Sequence, residues 1–337
     1  MTRTKSFLTA GLITFLLVLV AAGGVVYFLL FNPPDSIANN EDRFVEIEPG
    51  TSTRAIANRL AQEGVIRSPW AFLVLRALHP RAKLQAGEYE FSNKPTLWQV
   101  FEKIRLGQVY YEEITIPEGS NRFDIAAVLE QSETITPDDF LAAAKDAAGI
   151  HDLDPAAPTL EGFLFPSTYR LTAKSTAKDL CRMMTTEFRR QWAELHPPAS
   201  PDVHRIVTLA SLVEKETAMP QERPLVAAVF TNRLALHMPL QCDPTTVYAA
   251  LLDNRYRGVI HKSDLASTNP YNTYAHSGLP PGPIANPGAL SLKAALHPAS
   301  SDFLYFVAKG DGSGHHNFSR TLAEHKTAVS NFRRNAH

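Results

Sequence analysis

The chain has 337 residues, a formal net charge of -1 and 45% hydrophobic side chains, enough to build sizeable cores in two or three domains. Near-balanced charge argues against a nucleic-acid partner, which would ask for a basic patch or a raised pI. Cys181 and Cys242 lack zinc-type spacing, and two free, partly buried thiols are expected rather than a disulfide. At the N-terminus, Arg3 and Lys5 precede an apolar run over 7–31, long enough to cross ~30 Å of hydrocarbon. Small residues at Ala21, Ala22, Gly23 and Gly24 offer a signal-peptide cleavage site, but VVYFLLF follows directly, so an uncleaved single-pass anchor is expected. The positive charges place residues 1–6 in the cytoplasm and the rest outside, with 32–42 as a linker.

Two segments then resemble each other at an offset of about 69 positions. Val45-Glu-Ile-Glu-Pro-Gly-Thr is followed by Ile56, Ala57 and Leu60, and Ile114-Thr-Ile-Pro-Glu-Gly-Ser by Ile125, Ala126 and Leu129. Alternating β-branched residues predict a short strand, Gly-Thr or Gly-Ser a turn and N-cap, and the spacing after them a helix. A second helix starts at Ser68-Pro69 and at Thr136-Pro137, making a β-α-α unit used twice. Residues 87–91 read as a strand and 97–106 as a helix. Such a unit resembles a LysM-like module, with glycan binding or a spacer role as its two readings; the domains expected are 43–110, a second repeat over 111–158, and 159–337.

The last region opens with an aromatic, Pro-bearing loop over 160–169, followed by an amphipathic helix over 175–195. Residues 202–217, DVHRIVTLASLVEKET, place Val203, Ile206, Val207, Leu209, Ala210 and Val213 on one apolar stripe. Glu214 falls inside that stripe, where a carboxyl is expected to hold a proton near neutrality. Glu216 lies about 200° away at ~100° per residue and reads as surface charge or as a partner to a neighbouring group. Loops dense in Pro, Asn, Thr and Tyr follow, with the amide, hydroxyl and aromatic groups of a sugar-binding groove. The groove residues expected are Phe165, Glu216, Gln241, Asp243, Thr245, Tyr271, Asn272, Thr273, Tyr274 and Pro280. His315, His316 and His325 offer no ligand spacing for a metal, and none is expected.

The blocks LEGFLFPSTY, ASLVEKET, NRL, LQCDPTTVY, NPYNTY, GLPPGPIANPG and LYFVAKGDGSGHHNFSRTLAEH resemble, in order, the YceG-like (MltG) endolytic murein transglycosylases. The resemblance implies an α+β protein of the bacterial inner membrane with a LysM-like subdomain and a lysozyme-like transglycosylase domain. It also implies peptidoglycan glycan strands as substrate, no cofactor, possible work beside peptidoglycan synthases, and Glu214 as the catalytic acid. Cys242 and Ser167 depart from the Thr or Ser and the Asp expected at those positions. The reaction implied cleaves the bond from N-acetylmuramic acid to N-acetylglucosamine and leaves a 1,6-anhydro end. A hydrolytic muramidase, with Asp243 opposite Glu214, and a non-catalytic peptidoglycan-binding anchor are the alternatives.

Overall fold

The computed structural model describes residues 15–18, 20–21, 23–24, 27–28, 42–92 and 95–335. The expected cytoplasmic end and most of the expected anchor and linker lie outside them. Among the described residues no helix is long and apolar enough to cross a membrane. The chain mixes helices with short antiparallel strand pairs, an α+β architecture, and divides into two compact units, Met1–Tyr111 and Glu112–His337.

In the first unit β1 (Arg43–Ile47) pairs antiparallel with β2 (Gly87–Phe91), Val45 facing Tyr89. Between them run α1 (Thr53–Gln62) and α2 (Pro69–Leu78), and α3 (Leu97–Leu106) follows. Each helix start is set locally. Ser52 accepts the Ala55 N–H, Pro69 occupies the first turn of α2, and Thr96 and Gln99 form a reciprocal capping box. Gly50, at φ +83°, makes the preceding turn, so the cap is one residue later than the Gly-Thr pair suggests. The core is Val45, Leu60, Phe72, Tyr89, Phe101 and their neighbours.

The second repeat is built the same way. β3 (Glu112–Thr115), α4 (Arg122–Val128) and α5 (Pro137–Ala144) follow β1, α1 and α2 at offsets of 68 to 69 residues. Its cap is Asn121, in a capping box with Asp124. The closing strand is β4 (Thr168–Leu171), with Ile114 facing Tyr169, so the block expected as loop over 160–169 ends in a strand. Tyr169 donates its hydroxyl to the carbonyl four residues back, Phe165, at 2.5 Å, and Tyr89 does the same to Gln85 at 2.8 Å. The repeated unit is therefore β-α-α-β, and the expected boundary at 158/159 cuts through its second copy. That copy shares one apolar core with the remainder of the chain, from Ile114, Ile125 and Phe140 to Leu292.

After α6 (Ala177–Glu194), the centre of this core is α7 (Val203–Glu216), packed with α8 (Arg223–Ala235) and α11 (Ala289–Leu296). Residues 207–213 of α7 are all buried, Thr208, Ser211 and Leu212 included. It is a helix enclosed on every side, not one with a single apolar stripe. α9 (Asp243–Leu252) and the turn α10 (Lys262–Leu265) lead into the long loops before α11, and a hairpin of β5 (Tyr305–Ala308) and β6 (His316–Ser319) carries α12 (Leu322–Asn335). Cys181 and Cys242 are free and buried.

Buried polar groups lock the loops around α7. Glu161 is 2% exposed and accepts the Arg122 N–H at 3.0 Å, the Tyr248 hydroxyl at 2.9 Å and the Asn286 side-chain amide at 2.9 Å. Asn286 in turn accepts the N–H groups of Gly162 and Leu164 and donates to the Ser120 carbonyl. Gly162 sits at φ +89°, and a Cβ there would lie 2.4 Å from Pro283 and 2.8 Å from Val207, so only glycine fits. Burial pushes the Glu161 carboxyl up to about 7, against the pull of Arg122 and Tyr248.

Candidate active site

Two acids leave the C-terminal turn of α7, and their surroundings differ. Glu214 accepts Arg223 Nη2 at 2.8 Å on one oxygen and the Gly288 N–H at 2.9 Å on the other. Both partners of the ion pair are buried, their side chains 4% and 6% exposed, and Glu118 is the next carboxylate to Arg223 at 3.6 Å. The apolar setting expected of Glu214 is thus an ion pair, with neither oxygen facing open space. The Glu214 carboxylate joins α7, α8 and the 278–288 loop.

Glu216 faces a cleft of about 280 Å3, lined also by Arg233, Gln241, Asp243, Tyr274 and His325. Burial pushes its carboxyl up; a hydrogen bond from the Cys242 thiol pulls it down, the Asp243 charge adds to the rise, and His316 and Arg233 oppose it. Asp243 opens α9 and accepts the Tyr274 hydroxyl at 2.5 Å. It therefore lies beside Glu216, not opposite Glu214. Burial first, then that Asp243 bond, push the Tyr274 hydroxyl above its ordinary range. Arg233 spends its guanidinium on the Leu304 and Leu240 carbonyls, at 2.6 and 2.8 Å, and lies over the Tyr305 ring. His325 stacks on Tyr305 with ring centroids 5.1 Å apart, and burial followed by Arg233 lowers its pKa. The backbone of Gln241 is in the left-handed region at φ +50°, a strained placement for a side chain at the cleft mouth.

Of the expected groove residues, Glu216, Gln241, Asp243 and Tyr274 come together here. The others do not. Thr245, Asn272 and Thr273 are buried, at 0%, 0% and 1% exposure, and form the frame beneath the cleft. Thr273 accepts the Cys242 N–H at 3.0 Å and pairs with the Thr245 hydroxyl at 2.8 Å. Asn272 donates to the Leu265 and Ser267 carbonyls and accepts from Thr246 and the Tyr274 N–H. Phe165 belongs to the core, Tyr271 packs on Tyr248, and Pro280 is buried in its loop. Arg233, Phe306 and His325 also line the cleft, though composition and spacing did not single them out for it. Arg233 sat in the NRL block, the one signal available. His315 and His316 both turn Nδ1 to Glu222, at 2.8 and 2.7 Å. Burial raises the Glu222 carboxyl, but those histidine bonds outweigh it and its pKa falls.

The YceG-like family model matches residues 45–331. An endolytic murein transglycosylase of Bacillus subtilis (strain 168) is 34% identical over 307 residues, spanning 86% of this chain and 84% of that protein. One of Streptococcus pneumoniae (strain D39) is 28% identical over 339 residues, 91% of this chain but 61% of the relative. The crystal structure of a yceG-like protein from Listeria monocytogenes superposes with a TM-score of 0.54 at 32% identity, covering 86% of this chain and 99% of that one. The match runs through both compact units and carries the acid-bearing helix and its cleft within it: this chain belongs to the YceG-like family.

Proposed function

We propose that this chain is an endolytic murein transglycosylase whose acid and base is Glu216. The observation that carries the assignment is one desolvated carboxyl opening into a polar cleft, while its neighbour Glu214 is sealed in an ion pair. Protonated Glu216 gives its proton to the oxygen between N-acetylmuramic acid and N-acetylglucosamine as that bond breaks. The resulting carboxylate takes the proton of the muramic acid C6 hydroxyl, whose oxygen bonds to C1. A 1,6-anhydro end and a free 4-hydroxyl result, no water is consumed, and no cofactor enters. Intramolecular attack lets one acid serve both proton transfers. Gln241 and the Asp243–Tyr274 pair supply the dipoles facing the charge that develops at C1.

Arg3, Lys5 and the apolar run over 7–31 support a single-pass anchor in the bacterial inner membrane, N-terminus in the cytoplasm and both units outside. Residues 43–110 are then a LysM-like subdomain, the helical body around α7 is the lysozyme-like domain, and growing glycan strands made by peptidoglycan synthases are the substrate. Asp243 in the same cleft favours one second reading, a hydrolytic muramidase in which it activates water. Mass spectrometry of digested glycan separates the two: anhydro ends support the transglycosylase, and reducing ends overturn it. Activity surviving in Glu216→Gln would remove Glu216 from the chemistry.

A further inference from the structure

Helix α2 carries a second apolar face that the fold does not use. Phe72 and Leu75 point into the core of the first unit, while Trp70, Val74 and Leu78 are 69%, 51% and 66% exposed. Spaced at i, i+4 and i+8, these three share one face and form a ridge roughly 12 Å long at 1.5 Å per residue. Single exposed apolar residues are ordinary, but an aligned tryptophan, valine and leucine mark a contact surface. The charge around the ridge is one-sided: Arg54, Arg59, Arg67, Arg76, Arg81 and Lys83 stand against a single acid, Glu63, over residues 53–83. Arg54 lies over the Trp70 ring at 6.0 Å. Arg67, just before α2, lies over the ring of Phe28 at 5.5 Å, and Phe28 belongs to the apolar run over 7–31. The start of the ridge is therefore close to Phe28 of that run.

We infer that this face of α2 docks on the outer surface of the bilayer, with Trp70, Val74 and Leu78 in the headgroup–acyl boundary and the surrounding arginines on anionic headgroups. Tryptophan flanked by basic side chains is the combination that settles at that depth. Apolar side chains ringed by cations fit an anionic lipid surface better than a sugar strand, which offers neither a hydrocarbon layer nor fixed phosphates. The proximity of Phe28 favours the chain's own membrane over a second copy or another protein. The inference rests on the anchor reading proposed above. Its consequence is that the first unit lies down on the membrane instead of swinging on its linker.

The test uses the full chain reconstituted in vesicles of phosphatidylcholine with phosphatidylglycerol, half of the lipid brominated on the acyl chains near the headgroup. The difference in emission between wild type and Trp70→Phe isolates Trp70 from Trp98 and Trp192. Expected are co-flotation of protein with vesicles, loss of most of the Trp70 emission to bromolipid, protection from aqueous iodide, and weaker quenching without phosphatidylglycerol. Val74→Glu/Leu78→Glu, at exposed positions, should still float but lose the quenching. Flotation with Trp70 open to iodide overturns the docking and leaves the anchor standing. Trp70 shielded in a detergent-solubilised dimer and unquenched by bromolipid also overturns it, in favour of a second copy. Failure to float overturns both.

Discussion

Glu214 and Glu216 are two residues apart, and the same pair of oxygen atoms does different work in each. Glu214 neutralises a buried guanidinium through Nη2, while Arg223 Nε and Nη1 have no hydrogen-bond partner among the described residues. Glu214→Gln should therefore leave the Arg223 charge buried and cost ~3–5 kcal/mol of stability, read as a lower urea midpoint with the residual folded enzyme still cutting glycan. Glu216→Gln should do the opposite. Its rate should fall at least about 100-fold, while its melting temperature rises. The sign follows from the raised carboxyl: the protonated form is favoured in the fold, so that contribution is present below the ordinary carboxyl range and lost as pH climbs through the raised value. The gain in melting temperature should accordingly appear near neutral pH and vanish near pH 4. Cys242 adjusts the same group. A thiol is a weak donor, so Cys242→Ser should hold the Glu216 carboxylate more firmly and move the descending limb of the pH–rate profile acidward by about half a unit to one unit. An unmoved limb would mean that the thiol does not reach the acid.

At the scale of elements, the sequence carried the strand and helix positions well, because alternation, caps and prolines are local. The helices over 97–106 and 203–216 appear within a residue of their expected bounds. What a helical wheel cannot reveal is how many neighbours a helix has. One apolar stripe implies one buried face, and on that premise Glu214 was inside and Glu216 outside. Thr208 and Ser211 are polar yet buried, so α7 is enclosed and both acids lie at its interior end. Likewise the hydroxyls and amides of the 268–274 loop looked like a sugar-binding surface, whereas Asn272 and Thr273 spend them on neighbouring backbone. Composition names the chemistry of a side chain but not its direction. Glu161 shows what such buried polar groups do for the elements they join. Its carboxyl, pushed up to about 7 by burial, is protonated in the fold but ionised in the unfolded chain above the ordinary value of 4.5. The stability it contributes is present below pH 4.5 and is lost progressively up to about pH 7, on the order of 3 kcal/mol. Relative to wild type, Glu161→Gln should thus gain stability steadily across that window in urea titrations. A flat difference would place the Glu161 carboxylate in its ionised form throughout.

For the whole molecule, the decisive question is where one folding unit stops. The change of composition after residue 158 suggested a boundary there, yet β3 and β4 pair across it, Ile114 against Tyr169. Ile125, Leu129 and Phe140 of the second repeat lie in the same core as Val207 and Phe230. Long-range strand pairing of this kind leaves no mark in local sequence, except that the tyrosine of GEYEF recurs in STYRL and makes the same bond to a carbonyl four residues back. A chain beginning at Glu112 keeps every partner of that core, so it should melt in one cooperative transition and retain glycan cleavage in solution. A chain beginning at residue 159 loses β3, the N-terminus of α4 that binds Glu161, and the packing of Phe140. Removal of a single large buried side chain costs ~3–5 kcal/mol, against a total stability of ~5–15 kcal/mol for a domain; loss of a strand and two helices exceeds that margin. The shorter chain should therefore lack near-ultraviolet circular dichroism and a sharp melting transition. If it folded and cleaved glycan alone, the second β-α-α-β unit would be an appendage, and Glu161 would not be the joint that holds the loops around the cleft.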